Sequence, residues 1–255
     1  MSKNLERMQE TLREMERDPS PAEEPNDTLF PALQVERNLQ ADSLDFDPAA
    51  PEECLRLVQR IFLGHPANSG RVIVFAGIDP RTGCTRVCVD AACTLAANHS
   101  GSVCLVEANF RTPSLPHTFG VPNHRGLVDS LTREGNIRTY ANQLQPPNLW
   151  LLSAGAVTSA SSALLNSECL KLRLHELRRE FDYILVDAPA LNLYPDAVTM
   201  GRIADGVVVV LQADSTRRES ALKALESLRA ANIEVLGAVL NRRTFPIPDF
   251  LYRRL

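Results

Sequence analysis

Six short apolar runs, each bounded by polar or turn residues, constrain this chain most: "RVIVFA" (71–76), "SVCLVEA" (102–108), "NLWLLSA" (148–154), "FDYILVDAP" (181–189), "DGVVVVLQAD" (205–214) and "VLGAVLNR" (235–242). Continuous apolar runs of this length are strands buried on both faces. Between several of them lie stretches with helical spacing, at 85–97, 162–180, 196–203 and 216–231. Strands that alternate with helices build βαβ units. The expected fold is therefore α/β, a mostly parallel sheet with helices on both faces. Ligands of such folds bind at the carboxyl ends of the strands, so polar residues there are the first place to look for chemistry.

The chain has 255 residues, enough for one α/β domain with appendages, and 44% of them are apolar, enough for a packed core. A net charge of -4 and 5% aromatics argue against a nucleic-acid partner, which needs basic surface or stacking platforms. No apolar run approaches the ~20 residues of a membrane helix. The start, "MSKNLERMQETLREMERD", is too polar for a signal peptide, so a cytoplasmic location is expected, with membrane proximity only through a partner. Six cysteines occur without a CxxC pair, and they read as thiols of helix and strand rather than as a zinc site.

The expected organisation has three parts. Residues 1–50 hold an amphipathic helix over 4–17, with Leu5, Met8, Leu12 and Met15 at helical spacing, and then a proline-rich acidic linker. Residues 51–243 form the domain. It opens with the helix of "DPAAPEECLRLVQRIFL", whose apolar face is read as Leu55, Val58, Ile61 and Phe62. Residues 244–255 are a short tail.

After "RVIVFA" comes "GIDPRTGCT" and then a helix. Strand, glycine-containing loop and helix is the setting of a phosphate-binding loop, G-x-x-x-x-G-K-[ST]. In that setting backbone N–H groups and the helix dipole face the phosphates. Gly83 and Thr85 stand at the final glycine and the magnesium-binding hydroxyl of the pattern. Cys84 replaces its lysine and Ile78 its first glycine. A lysine there is a point charge reaching the β- and γ-phosphates, and a cysteine supplies none. Arg81, Thr82 and Arg86 complete the loop, and the two arginines are candidates to compensate. Their planar, forked geometry differs from lysine's.

Two other strands end in acids: Glu107, followed by Asn109 and Arg111, and Asp187. A carboxylate at the end of an apolar strand beside a phosphate loop reads as a group that holds Mg²⁺ or positions the nucleophile.

These residues together resemble the bacterial tyrosine kinases of capsule and exopolysaccharide synthesis (the BY-kinase, or CpsD/CapB, family), in the MinD/ParA-like branch of P-loop NTPases. The resemblance runs from about residue 51 to 242. It is carried by "VCLVEANFRTPSLPHTFG", where the family has D-x-D-x-R-x-P-S-L, and by "GLVDSL", "LWLLSAG", "FDYILVDAPALNLYPDA" and "DGVVVVLQADSTRRESALKALESL". It implies ATP and Mg²⁺ as cofactors. Gly83 and Thr85 would bind phosphate and metal. Glu107 and Asn109 would replace two aspartates of the second motif, and Arg111 keeps its arginine. Asp187 would be the acid of the Walker B strand. Asn241 and Arg242 fall where related ATPases contact the base. "EECLRLVQRIF" is similar to the helix carrying the family's E-x-x-R-x-x-R oligomerisation motif. Glu53 and Arg56 match it, and the third position is Gln59. The implied partners are a further copy of the chain and the cytoplasmic part of a membrane-bound regulator of polysaccharide chain length.

The departures concentrate on phosphate, metal and acceptor positions. Besides Cys84, Glu107 and Asn109, the tail "PIPDFLYRRL" offers only Tyr252 as phospho-acceptor, where the family carries a tyrosine cluster. The expectation is a family protein with weakened or lost autophosphorylation that acts as a regulatory partner of polymerisation and export. An active autokinase with an altered loop and a MinD/ParA-like ATPase are the alternatives. The latter group carries an extra lysine early in the loop, and no lysine occurs between 70 and 97 here.

Overall fold

The structure is a computed structural model that describes residues 33–35, 52–63, 71–158, 161–165 and 168–242. The amphipathic stretch 4–17 and Tyr252 lie outside the described residues. Six strands fall on the six apolar runs: β2 (Arg71–Gly77), β3 (Val103–Glu107), β5 (Leu149–Leu152), β6 (Tyr183–Ala188), β7 (Gly206–Gln212) and β8 (Val235–Asn241). Two more join them. β1 (Leu33–Val35) arises within the segment read as linker, and β4 is the two-residue Asn142–Gln143.

The sheet order is β1-β8-β7-β2-β6-β3-β5-β4, and every neighbouring pair is parallel except β4 with β5. From the central β2 the chain crosses to β3 on one side, and β6 later fills the gap between them. β7 and β8 then extend the other side. The loop after β2 thus sits at the middle of the sheet, where crossovers diverge and a crevice opens.

Continuous apolar strands need cover on both faces. On one face α1 (Glu52–Val58) and α2 (Cys84–Asn98) pack Leu57, Val58, Val87, Cys88 and Leu95 against Ile73, Phe75 and Leu105. On the other face the covering helices are α4 (Leu127–Thr132), α6 (Glu168–Glu180), α7 (Asp196–Gly201) and α8 (Arg218–Ala230). They bring Leu131, Leu174, Met200 and Leu225 onto Val72, Val74, Val186 and Val209. Short α3 (Leu115–Phe119) and α5 (Ser161–Leu164) sit in the connections.

Two details differ from expectation. The stretch 162–180 is not one helix but α5 and α6, separate elements. On α1 the buried residues are Cys54, Leu57 and Val58, followed by Ile61 and Phe62, while Leu55 is only half-buried. Cys54, Leu57, Val58 and Ile61 are the i, i+3, i+4, i+7 set, so a thiol completes the stripe where a leucine was expected. The Thr94 hydroxyl of α2 donates to the Cys54 sulfur at 3.3 Å. Among the described residues no helix is long and apolar enough to cross a membrane.

Candidate functional site

The loop between β2 and α2 reverses the chain in six residues. Arg81 (φ 64°) and Gly83 (φ 81°) both take left-handed backbone. At Gly83 this conformation favours glycine, and any side chain there would also collide with the Asn241 amide. Gly83 caps α2 without a side-chain cap. The N–H groups of Gly83, Cys84, Thr85 and Arg86 donate to no other described residue. Four free donors at the positive end of a 15-residue helix make an anion cradle.

The loop is braced from a distant strand. The Asn241 amide, at the end of β8, donates to the Thr82 carbonyl at 2.8 Å across 159 residues of sequence. Its oxygen accepts the Arg242 N–H at 2.9 Å. Both ends of the Asn241 side chain are therefore engaged in holding the loop. Asn192 makes a second brace, donating to Asp79 at 3.1 Å and to the Ser220 carbonyl at 3.0 Å. No spacing rule pointed to Asn192. The only sequence signal was its place a few residues beyond Asp187.

Asp187 ends β6 directly under the loop. The Thr85 hydroxyl donates to its Oδ2 at 2.8 Å, while its Oδ1 is buried with no hydrogen-bond partner. Burial pushes this carboxyl up to about 7, the Thr85 hydroxyl opposes the rise, and the Glu107 charge adds to it. A buried, half-satisfied carboxylate beside a threonine hydroxyl is a donor set for a hard divalent cation. Thr85 and Asp187 are thus the pair that would hold Mg²⁺. Among the described residues no cluster of three or more acids, histidines or cysteines offers a cage for a metal. A Mg²⁺ held by Thr85 and Asp187 would not require one, since phosphate and water would supply its remaining ligands.

Glu107 lies beside Asp187 in the β3–β6 register, but its carboxylate turns elsewhere. It is fully buried and accepts the backbone N–H groups of Ser114 and Leu115 (2.8 Å for Leu115) on one oxygen and of Ala154 (3.2 Å) on the other. The extra methylene relative to aspartate reaches this cage of three donors. Burial raises its pKa and the three N–H bonds oppose the rise. In this geometry Glu107 ties the β3 connection to the end of β5 rather than facing the loop. Asn109 likewise closes a local turn, bonding the Thr112 hydroxyl at 3.1 Å and N–H at 3.3 Å.

The cations divide sharply. Arg86 donates to both carboxylate oxygens of Asp90, at 3.0 and 3.1 Å, one turn further along α2. Arg111 pairs with the buried Asp196 at 3.6 Å and lies over the Tyr194 ring, joining the loops after β3 and β6. Arg81 is exposed at the crest and bonds no described residue. Arg242, in left-handed backbone (φ 59°), lies against Gly83.

Cys84 supplies no charge. Its half-buried side chain packs against the core cluster of α1 and α2, and its sulfur lies against the Gly77 backbone. Burial, reinforced by Asp187, raises the thiol well above its ordinary value. It stays neutral and inert, since the thiolate is the reactive form. On α1 Glu53 is half-buried, while Arg56 is exposed and pairs with Glu52.

No family model matches the chain. It is 28% identical over 145 residues to the tyrosine-protein kinase YwqD of Bacillus subtilis, covering 57% of this chain and 61% of YwqD. The tyrosine-protein kinase CpsD of Streptococcus agalactiae is 27% identical over 139 residues, 54% of this chain and 61% of CpsD. The succinoglycan biosynthesis transport protein ExoP of Rhizobium meliloti is 29% identical over 178 residues, 69% of this chain and 22% of ExoP. The chain thus spans about three fifths of the length of the first two relatives. Among solved structures, the chimerical protein CapA2B2 superposes with TM-score 0.76 at 21% identity, over 85% of this chain and 96% of that one. The kinase domain of the Escherichia coli tyrosine kinase ETK gives 0.70 at 20%, over 77% and 78%. The cell division ATPase MinD of Pyrococcus furiosus gives 0.59 at 26%, over 68% and 72%.

Proposed function

We propose that this chain, a relative of the bacterial tyrosine kinases with the P-loop fold of their kinase domains, binds a magnesium nucleotide at the β2–α2 loop and transfers its γ-phosphate only weakly. One observation carries the reading: the Thr85–Asp187 pair and the free N–H cradle are in place, while the side chain at the lysine position is a thiol turned into the core. Bound Mg²⁺ would neutralise charge on the phosphates and polarise the bond to the leaving group. The protein's own part is to hold phosphate on the N–H groups of 83–86 and to present the open oxygen of Asp187. Binding needs these groups; fast transfer also needs a cation where charge develops. Removal of one such contact typically costs about 10²–10³ in rate.

In the cell this protein serves as a regulatory partner in polysaccharide polymerisation and export rather than as its main kinase. Similarity to ExoP, a succinoglycan biosynthesis transport protein, and the superposition on CapA2B2 support that setting. Its partner would be the cytoplasmic part of a membrane-bound chain-length regulator, with self-association through Glu53 and Arg56 of α1. Tyr252 would be the acceptor of whatever phosphate is transferred.

The test is a titration with a fluorescent ATP analogue and Mg²⁺, followed by labelling with γ-phosphate-labelled ATP. Saturable, magnesium-dependent binding with faint phosphotyrosine is expected, and Cys84→Lys should raise the labelling. Robust phosphotyrosine in the wild type would refute weak transfer. No saturable binding in either protein would refute the nucleotide site.

A further inference from the structure

We propose that Arg242, delivered from the end of β8, is the cation that holds bound phosphate at this loop and supplies for binding, though not for the transfer step, the charge that Cys84 does not supply. The inference rests on the nucleotide reading of the site and names the group that makes phosphate binding work there. Its observations are positional. The first residue after β8 takes left-handed backbone, φ 59°, a conformation that a non-glycine residue adopts at a cost. It is held so by its own N–H on Asn241 Oδ1, while the Asn241 amide holds the Thr82 carbonyl. The result brings the exposed arginine beside the start of the cradle: a Cβ built on Gly83 would sit 3.7 Å from Arg242 Nε. The guanidinium group therefore lies beside Gly83, the first residue of the cradle, within side-chain reach of phosphate held there.

The other arginines of the β2–α2 and β3 loops do not compete for the place. Arg86 is engaged by both oxygens of Asp90, and Arg111 by Asp196 and Tyr194. The chain has only three lysines, Lys3, Lys171 and Lys223; the latter two lie on α6 and α8 and the first outside the described residues. Arg81 is near but has nothing to hold it over the cradle. The Arg242 backbone is anchored to the loop by the same asparagine that braces it. Arginine is suited to this task, because its fork can take two phosphate oxygens at once and it stays charged at any working pH.

A double-mutant cycle tests the substitution of one cation for another. The probes are Mg·ATP, inorganic tripolyphosphate and adenosine, measured by calorimetry on the full chain. Arg242→Ala should weaken Mg·ATP and tripolyphosphate about tenfold and leave adenosine unchanged. In a Cys84→Lys background the same change should cost less than about twofold. Circular dichroism confirms that each variant folds; should Cys84→Lys not fold, Arg242→Gln and Arg242→Lys measured against tripolyphosphate decide the matter alone, with Lys expected to retain most of the affinity. Equal losses for adenosine and Mg·ATP would make Arg242 a base contact and overturn the proposal. So would an unchanged tripolyphosphate affinity, or a tenfold loss that persists in the Cys84→Lys background. A wild type that binds neither Mg·ATP nor tripolyphosphate would sink the nucleotide reading itself, a result distinct from all of these.

Discussion

Replacing Glu107 by glutamine separates a structural brace from a metal ligand. Its two oxygens accept three backbone N–H groups, from Ser114, Leu115 and Ala154, in a site with no solvent exposure. Glutamine keeps the shape but must turn its NH₂ toward at least one of those donors. Keeping its oxygen on Ser114 and Leu115 sets NH₂ against Ala154 N–H, two donors facing at 3.2 Å in the wild-type geometry. An unsatisfied buried donor costs about 1–3 kcal/mol, and relief of the buried charge returns part of it. A net loss of about 2 kcal/mol is expected, or roughly 4–8 °C in Tm for a domain of this size. Urea unfolding at pH 7.5, with the slope unchanged, measures it. Magnesium-dependent nucleotide affinity should change less than about threefold once the variant is measured well below its Tm. A Glu107→Gln protein within about 0.5 kcal/mol of wild type that has lost magnesium-dependent binding would refute the brace and return Glu107 to the metal.

Asp187 gives a pH signature. Its folded pKa of about 7 lies above the ordinary 3.8, so between those values the folded protein keeps a proton that the unfolded chain has released. Ligand-free stability should therefore fall as pH rises from 4 to 8, by at most about 4 kcal/mol from this group; Asp187→Asn should flatten that slope in urea titrations, and an unchanged slope would assign it elsewhere. Asn241→Ala removes the brace on Thr82 and should cost about 1–2 kcal/mol, with faster hydrogen exchange at Val87, whose N–H donates to the Gly83 carbonyl; unaltered exchange there would show that the loop holds itself. Arg56→Ala loses only an exposed pair with Glu52, so its stability should stay within about 0.5 kcal/mol while light scattering reports a smaller oligomer. An oligomer of unchanged size would remove Glu53 and Arg56 from the interface.

The strands and the place of the loop were readable from local pattern alone. Val, Ile and Leu in unbroken runs must be covered on both sides, so six runs became six strands of a two-faced sheet. Gly83 marked the helix start because its left-handed backbone tolerates few alternatives, and Thr85 by its hydroxyl in the first turn. A position in sequence does not say where a side chain turns, and there the tertiary structure decided. Glu107 stands at a metal-binding position in the pattern, yet three N–H groups brought in by residues 114, 115 and 154 draw its carboxylate away. Arg86 flanks the loop, but Asp90 lies one turn along the same helix and holds it. Cys84 keeps its place at the helix start and loses its view of the ligand to core packing. Asn241 and Arg242 reach the loop only because β8 runs parallel to β2, one strand removed across β7, so that both carboxyl ends lie on the same edge of the sheet. Chain order dictated what each segment becomes, since propensity and burial pattern are local. Which groups meet was settled by strand order, since contacts across more than a hundred residues exist only once the sheet has closed around them.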